Sequence, residues 1–436
     1  MKPIRVISSM PGSGKTSWVF EHIKSNSSER WIFVSPYLKE CGGLDTNSGE
    51  YHKGRIREEI PEMYFKTPTP KHKGESKSKA FKELLKSGDN ISTTHQLWKM
   101  MDIECADIIQ EQQYKIVIDE SLNLIETYED FDQMDLRVAL QGKMIHLGED
   151  THRLHWNNDL YPNYNKGKFK EIKHLCDVGA LYLYGDEVVI HQVPPQAILS
   201  AKEVIVLTYG FKHSVMGAWC EVCGIPYKVD NEVKLYKSND QILEELVDRI
   251  SLIEIPKTFI DIHNGSHRSI FTKGWFENSY TDAHRKSILS SLRYVVDKRF
   301  DKGNIFWTTF KDYKDELKGK RYTRSKTVTL DDRTWKRDPF VAKNMRASNE
   351  YRDCTNCIYL VDVRINPYLK GYLIKHGATM FNEDTYSLLE MLQFIFRGAI
   401  RNKQDDVIGN HLNLFIGSPR MCKLLETWLK GEMEVD

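Results

Sequence analysis

The sequence lacks the long apolar runs of membrane proteins and has almost no excess of charge of either sign. No stretch approaches the ~18 consecutive apolar residues of a membrane-spanning helix, so we expect no contact with a membrane. Its 62 lysines and arginines balance 61 aspartates and glutamates, for a net charge of +1. The chain as a whole is therefore not a polyanion-binding surface, and any nucleic-acid site must be a local basic patch.

Cysteine is also scarce, with eight residues in 436, and the apolar run at residues 4–7 leaves no room for a signal peptide. We therefore expect free thiols in a reducing cytosol. Two pairs have the C-x-x-C spacing of zinc half-sites but lie far apart in the sequence, namely Cys220 with Cys223 and Cys354 with Cys357. Their apolar surroundings favour buried free cysteines over zinc ligands, although the sequence leaves zinc open.

The first strong motif is a glycine-rich turn between a predicted strand at residues 4–7 and a predicted helix at residues 17–23. A strand, a Gly-Lys-Thr turn and a helix in this order are typical of a phosphate-binding P-loop, although Ser9 occupies the position of its usual first glycine. The glycines let backbone N–H groups surround phosphates, Lys15 reaches the β- and γ-phosphates, and the Thr16 hydroxyl ligates Mg²⁺. The predicted nucleotide-binding residues are Pro11, Gly12, Ser13, Gly14, Lys15, Thr16 and Ser17.

The second motif is an apolar run at residues 114–118 that ends in Asp119 and Glu120. An acidic pair at the end of such a strand is typical of a Walker B motif, in which the aspartate holds Mg²⁺. Glu120 is then placed to orient or deprotonate the attacking water. Together with the P-loop, this pair predicts nucleotide hydrolysis as well as binding.

Apolar strand patterns recur along both halves of the chain and alternate with helical patterns. This alternation predicts an α/β fold with mostly parallel sheets flanked by helices, and with the ligand at the carboxyl ends of the strands. We expect one domain over residues 1–212, with surface insertions near residues 40–90 and 132–193. A second domain without a P-loop is expected over residues 213–436.

A third constellation lies near the C-terminus, within a predicted helix over residues 385–401. Gln393, Arg397 and Arg401 follow one another at steps of four, which would place them on one helix face. Long cationic side chains in this arrangement could reach a nucleotide held by the other domain, as an arginine finger does. We therefore expect Gln393 to sense the γ-phosphate and one of the two arginines to complete the site.

Taken together, residues 9–16, 118–120 and 393–401 resemble motifs I, II and VI of superfamily 2 helicases. Other segments resemble the helicases encoded by tailed bacteriophages, and the likeness runs nearly end to end: residues 93–95, 207–211, 307–311, 346–352 and 396–401. The resemblance implies two RecA-like domains with an ATP cleft between them and a nucleic-acid strand that crosses both. Residues that it assigns to nucleic-acid contact or coupling are Ser35, Pro36, Thr93, Thr94, His95, Thr208, Thr309, Arg346 and Asn349.

Two departures from the family pattern limit what the resemblance implies. Arg401 lies eight residues after Gln393, where the wider superfamily has its last arginine after seven, so either Arg397 or Arg401 could be the finger. The sequence before the P-loop also has no glutamine motif of the kind that reads adenine. The preference for ATP over other nucleotides therefore stays open.

The sequence thus predicts an ATP- and Mg²⁺-dependent helicase or translocase in the host cytoplasm, acting on single-stranded or branched DNA in phage replication or recombination. Replication proteins would be its further partners, and the lysine-rich segments 71–86 and 311–326 would add phosphate contacts. The alternatives are a motor without strand separation, a P-loop kinase for a small acceptor, and a nucleotide-switched binding module. Polarity, DNA versus RNA, the preferred substrate structure and the oligomeric state are not predicted.

Overall fold

The computed structural model describes residues 3–44, 51–70, 72, 76–149, 152–164, 166–256, 269–330, 333–343, 349–401 and 410–435. The strands are β1 Ile4–Ser8, β2 Trp31–Ser35, β3 Gly43–Leu44, β4 Tyr51–His52, β5 Ile91–Thr94, β6 Lys115–Asp119, β7 Ile125–Thr127, β8 Ile145–Leu147, β9 Leu154–Trp156, β10 Leu181–Tyr184, β11 Val188–Gln192, β12 Glu203–Thr208, β13 Tyr227–Val229, β14 Ile250–Leu252, β15 Ile305–Thr308, β16 Lys326–Leu330, β17 Arg333–Arg337, β18 Asn356–Tyr359 and β19 Leu412–Ile416.

The α-helices are α1 Lys15–Ser25, α2 Leu38–Cys41, α3 Arg55–Glu59, α4 Lys77–Ser87, α5 His95–Lys99, α6 Ile103–Glu111, α7 Gln133–Gln141, α8 Gly167–Asp177, α9 Gln196–Leu199, α10 Val215–Val222, α11 Asn239–Arg249, α12 Lys273–Asn278, α13 Asp282–Lys298, α14 Pro367–Lys375, α15 Glu383–Ile395 and α16 Pro419–Leu429. Short 3₁₀ turns lie at Pro61–Met63, Phe211–His213, Lys311–Tyr313, Asn349–Tyr351 and Ala399–Arg401. Within the described ranges, no helix has the length and apolar character needed to cross a membrane.

The first sheet has the strand order β13-β1-β12-β6-β2-β5, and all its neighbouring strands are parallel. Alternate residues of each strand pack into hydrophobic cores on opposite faces of the sheet. On β2, for example, Ile32 and Val34 belong to one cluster, while Trp31 and Phe33 belong to another on the opposite face. Burial on both faces explains why these strands are continuous apolar runs in the sequence.

The second sheet has the order β14-β19-β18-β15 and is also parallel throughout. Its strands are again buried on both faces, with Phe306 and Cys357 on one side and Trp307 and Ile358 on the other. The predicted α/β fold of two RecA-like domains, each a mostly parallel sheet flanked by helices, is therefore confirmed.

A smaller unit lies between β6 and β12 and has its own core. Its antiparallel sheet, in the order β10-β11-β7, contains a hairpin that turns at Gly185. Helix α14 of the second half packs against this sheet, since Tyr372 contacts the rings of Tyr182 and Tyr184 and its hydroxyl donates to Gln192 Oε1 at 3.2 Å. The insertion therefore joins the two halves.

Two expectations about domain limits need correction. The chain does not leave the first sheet at residue 212, because β13 pairs with β1. Nor is the whole segment 40–90 a surface insertion, because Ile56, Ile60 and Phe65 are buried against the outer face of the first sheet. The few apolar residues of this segment face the sheet. The polar average composition of the segment therefore does not predict their burial.

The four cysteines of the C-x-x-C pairs lie in two different cores. Cys220 packs in the core of the first sheet, whereas Cys354 and Cys357 pack in that of the second. All eight cysteines are free, and burial raises the pKa of the Cys223 thiol to about 12. The described residues contain no group of three or more His, Cys, Asp or Glu side chains that could hold a metal ion.

Candidate nucleotide-binding site

The P-loop joins the carboxyl end of β1 to the N-terminus of α1, as its sequence predicts. Gly12 and Gly14 have φ angles of +88° and +95°, a region that side chains disfavour and glycine tolerates. Within the described chain no side chain caps α1, and its first turn contains no acidic residue. A Cβ atom at Gly12 would meet nothing within 4 Å, so the loop is open beside this residue. This is an anion-binding geometry.

Lys15 is held at this loop by the loop's own backbone. Its side chain is 7% exposed, and Nζ donates to the carbonyl oxygen of Met10 at 3.0 Å and to that of Ser9. Both acceptors are neutral carbonyl oxygens, whereas the ammonium group carries a positive charge. A phosphate above the loop would be a stronger partner for that charge.

Asp119 ends β6, which lies between β12 and β2 in the first sheet. Burial, together with the carboxylates of Glu120 and Glu40, raises the pKa of Asp119 to about 7, while Lys15 opposes the shift. A carboxyl group with this pKa needs a cation nearby to stay ionised at neutral pH. Thr16 and Asp119 thus supply the oxygen ligands that Mg²⁺ prefers.

Glu120 follows with a φ angle of +65°, which is uncommon for a residue with a side chain. Its N–H donates to the Leu207 carbonyl at 2.8 Å, and this bond fixes the turn. The neighbouring Asp119 carbonyl is hydrogen-bonded to His95 Nε2 at 2.8 Å. The structure therefore brings His95 to the predicted Walker B residues, while Thr94 caps α5 through the Leu97 N–H.

The predicted helix over residues 385–401 is wrong in its last part. Helix α15 ends at Ile395, and a 3₁₀ turn begins at Ala399. The Ala399 N–H donates to the carbonyl of Cys354 instead of continuing the helix. Gly398 also fits tightly against Phe306, which leaves no room for a side chain. Consequently Gln393, Arg397 and Arg401 do not share one helix face.

The break in the helix buries Arg397 instead of exposing it. Arg397 is 1% exposed, and its Nε and Nη1 atoms have no hydrogen-bond partner in the described part of the chain. Burial lowers the pKa of its guanidinium to about 10, against the opposing effects of Tyr37 and Glu390. The guanidinium lies over the ring of Phe394, at 4.9 Å from its centroid, but two of its nitrogens are unsatisfied among the described residues. Buried charges that lack hydrogen bonds are costly and concentrate at functional sites.

Arg401 lies in the 3₁₀ turn and retains exposed surface. Burial lowers the pKa of its guanidinium, and the strongest opposing influence is Glu40, followed at a smaller level by Glu120. These carboxylates belong to the first domain. Arg401 therefore lies within electrostatic reach of the carboxylates beside the first sheet.

Hydroxyl side chains lie at the carboxyl ends of strands in both sheets. Those of the first sheet are Ser35, Thr93 and Thr208, and those that follow or end β15 are Thr308 and Thr309; all are at most 1% exposed. Their oxygen atoms have no hydrogen-bond partner among the described residues. Buried hydroxyls normally have partners, so these positions fit contacts with a ligand or ordered water.

The remaining predicted residues are less informative. Pro36 follows Ser35 in the turn after β2, Asn349 begins a 3₁₀ turn, and Arg346 lies outside the described residues. In the basic segment 71–86, Lys82 forms ion pairs with Asp102 and Glu104. These pairs reduce the charge available for nucleic acid on α4.

The sequence does not indicate that Asn239 contacts the P-loop or that Glu40 lies close enough to Asp119 to raise its pKa. Asn239 Oδ1 accepts hydrogen bonds from Ser9 Oγ and from the Met10 N–H, both at 2.9 Å. The residue opens α11, more than 200 positions after the P-loop, so no local pattern could indicate this contact. Glu40 lies in a segment whose polar composition suggested only a surface loop.

Comparison with known proteins divides the chain in a similar way. Residues 125–191 match a family described as the YonV middle domain, and residues 245–429 match the YonV C-terminal Rossmann-like domain. The first match corresponds to the antiparallel unit, and the second contains the whole second sheet. The chain is 28% identical over 447 residues to the SPbeta prophage-derived uncharacterized protein YonV of Bacillus subtilis (strain 168), covering 99% of this chain and 100% of that protein.

Among solved structures, the chain is similar to an apo form of XPD with a TM-score of 0.49 and 14% identity, covering 97% of this chain and 95% of the other. It is also similar to S. tokodaii Xpd4 with a TM-score of 0.43 and 13% identity, covering 99% and 94%. Both likenesses extend over nearly the whole length of each chain.

Proposed function

We propose that this protein hydrolyses ATP between its two parallel sheets and uses the energy to move along or unwind nucleic acid. The observation that carries the proposal is the position of the two arginines. Arg397 is buried with unpartnered guanidinium nitrogens, and Arg401 lies within electrostatic reach of Glu40 and Glu120 of the first domain. A nucleotide-binding protein whose second domain takes no part in hydrolysis would need neither a buried arginine nor an arginine close to the carboxylates of the first domain.

The residues divide the catalytic work between the domains. The P-loop amides and Lys15 hold the phosphates, and Thr16 with Asp119 holds Mg²⁺, which would offset phosphate charge. Glu120 orients the attacking water and accepts its proton. Gln393 and either Arg397 or Arg401 complete the site from the second domain, where a guanidinium stabilises the charge that develops on the γ-phosphate.

We further propose that DNA is the track, in phage replication or recombination. The prophage origin of the relative supports the phage setting, and the helicase-like motifs support a nucleic-acid partner. Ser35, Thr93, Thr208 and Thr309 would couple the strand to the nucleotide, since they line the strand ends of both sheets. Arg346 and Asn349 keep the role that the motif resemblance gives them.

Two other functions share parts of this machinery. A motor that translocates or displaces proteins without separating strands would use the same site. A small-molecule kinase would use the P-loop but would leave Arg397 buried with two unsatisfied nitrogens, which makes it the weaker candidate.

The deciding experiment is steady-state ATP hydrolysis with and without single-stranded DNA or RNA, at two salt concentrations. We expect strong stimulation by the nucleic acid that weakens as salt rises, because phosphate contacts release counterions. Lys15→Ala should remove turnover, while Lys24→Ala on the exposed side of the same helix should not. Turnover that ignores both DNA and RNA would overturn the motor proposal, and strand displacement assays would separate a helicase from a translocase.

A further inference from the structure

The segment that connects the first sheet to α11 crosses directly over the P-loop. This segment, residues 230–239, is here called the strap. At its start, the Asp230 N–H donates to the Val6 carbonyl at 2.8 Å, and Arg5 Nε lies 2.7 Å from Asp230 Oδ2. The side chains of Val233 and Leu235 pack against the outer core of the first sheet. The first half of the strap is therefore anchored to the first domain.

The second half of the strap is anchored to the P-loop itself. Tyr236 N–H donates to the carbonyl of Ser13 at 3.0 Å, and Asn239 accepts the two bonds from Ser9 and Met10. Between these anchors, Lys237 Nζ pairs with Glu245 Oε1 at 2.6 Å. The backbone path over the loop is thus fixed at several points.

Tyr236 is the one large side chain of the strap that combines contact with the loop and broad exposure. Its ring lies so close to Gly14 that a Cβ there would be 2.2 Å from Tyr236 Cδ2. The residue is nevertheless 79% exposed. A large, exposed aromatic ring held against a phosphate-binding loop has no evident packing role, because most of its surface contacts solvent.

We propose that the strap is the nucleobase site, and that the ring of Tyr236 stacks on the base of a nucleotide bound at the P-loop. This inference rests on the proposed function, because it requires phosphates on the loop. Gly14 is where the loop becomes helix α1, and its neighbouring amides hold the α/β-phosphate end of the nucleotide. Sugar and base continue from that end, next to the ring.

Stacking of this kind would also account for a missing feature of the sequence. The chain has no glutamine motif before the P-loop to read adenine by hydrogen bonds. An aromatic face accepts every base, because every base has a π-face. We therefore expect ATP and GTP to bind with similar affinity and to depend on Tyr236 to the same extent.

The test compares ATP with inorganic tripolyphosphate, which has the phosphates but no base. Affinities are measured by calorimetry with Mg²⁺ for the full chain and for Tyr236→Ala, Tyr236→Phe and Lys15→Ala. We expect Tyr236→Ala to weaken ATP binding about ten-fold and to leave tripolyphosphate binding unchanged, since it removes one stacking contact. Tyr236→Phe should behave as the unsubstituted chain, and Tyr294→Ala, an exposed tyrosine on α13, serves as the matched control.

Two results would overturn the inference while leaving the proposed function intact. Equal weakening of ATP and tripolyphosphate by Tyr236→Ala would mean that the ring only shapes the loop. Tighter ATP binding in that variant would mean that the ring covers the site. Failure of the proposed function would look different, since the unsubstituted chain would then bind neither ligand, or Lys15→Ala would bind both as well as the unsubstituted chain.

Discussion

The two parallel sheets are built alike, but the charged side chains beside them are of opposite sign. The first, acidic edge lies at the carboxyl ends of the first sheet and presents Asp119 and Glu120, with Glu40 close enough to raise the pKa of Asp119. The second, basic edge lies at the amino ends of the second sheet's strands, because Gly398, between Arg397 and Arg401, packs against Leu412 at the start of β19. Buried hydroxyls without partners among the described residues lie at the carboxyl ends of strands in both sheets. The difference shows how a repeated architecture divides one reaction between two unlike halves.

Each edge contains a buried residue whose charged form is disfavoured by burial. Burial shifts the pKa of Asp119 upwards and that of Arg397 downwards, so each residue is pushed towards its neutral form. A metal cation would relieve the first edge and a polyphosphate the second. A ligand shared by the two halves would therefore stabilise both of them. Binding of that ligand would then be coupled to the approach of the halves.

The largest expected effect comes from removing the charge of the second edge. Arg397→Met should lower kcat for ATP hydrolysis by about 10³-fold, with little change in nucleotide affinity, because a finger acts mainly in the transition state. The same variant should raise the free energy of unfolding by roughly 1–4 kcal/mol, because an apolar side chain replaces a buried charge with two nitrogens that lack a hydrogen-bond partner among the described residues. Turnover assays and denaturant unfolding measure the two effects.

Arg364→Met is the matched control, since Arg364 is a partly exposed arginine of the same domain that pairs with Asp362. Full turnover in Arg397→Met, together with loss of turnover in Arg401→Met, would assign the finger to Arg401. In that case the buried Arg397 would have no catalytic role, and only Arg401 would act from the second half.

Sequence patterns predict the strands of both edges well, because each strand is buried on both faces and is marked by its own apolar run. The P-loop and Walker B residues are equally local, and the structure places them at the carboxyl ends of β1 and β6, with β12 between the two strands. The helix end at Ile395 is different. It depends on the hydrogen bond from Ala399 to Cys354 and on the contact of Gly398 with Phe306, both of which come from distant parts of the chain.

The contacts of Asn239 and Tyr236 with the P-loop are non-local in the same way. Their sequence neighbours form only a polar segment and the capping box of α11, which is a local feature. Which loop the linker crosses is decided by the position of β13 at the edge of the first sheet. Asp119 and Glu120 could thus be predicted from the sequence, whereas the approach of Glu40 and the arrangement of the basic edge and the strap could not.

The second prediction concerns the pH dependence of the acidic edge. The folded-state pKa of Asp119 is about 7, above its reference value of 3.8, so stability is highest at low pH and is lost as pH rises towards 7. Asp119→Asn should therefore be more stable than the unsubstituted chain near pH 8, by on the order of 2 kcal/mol, with a smaller advantage near pH 5. Thermal unfolding without Mg²⁺ or nucleotide measures this difference.

Asp107→Asn, on the exposed side of α6, is the control for this series. An advantage of Asp119→Asn that is the same at both pH values would contradict the prediction, because it would show that Asp119 does not titrate in this range. Added Mg²⁺ and nucleotide should reverse the ranking, since only the carboxylate binds the cation.

The third prediction compares equivalent hydroxyls of the two sheets. Thr208→Val and Thr308→Val should each raise the free energy of unfolding by about 1 kcal/mol, because each removes a buried hydroxyl without a partner among the described residues. Only Thr208→Val should also reduce the stimulation of hydrolysis by DNA, since Thr208 lies on the P-loop side. Destabilisation by either variant would indicate that an ordered water satisfies the hydroxyl in solution.

The smallest expected effect tests the direct link between the P-loop and the second half. Asn239→Ala leaves the Met10 N–H without its acceptor and should cost about 1 kcal/mol of stability. It should weaken ATP and tripolyphosphate equally, by a few-fold at most, because Asn239 shapes the loop and does not reach the base. Asp240→Ala, the next and exposed residue, should change neither affinity. If Asn239→Ala also leaves both affinities unchanged, the loop holds its shape without the second half, and the two edges communicate only through the bound nucleotide.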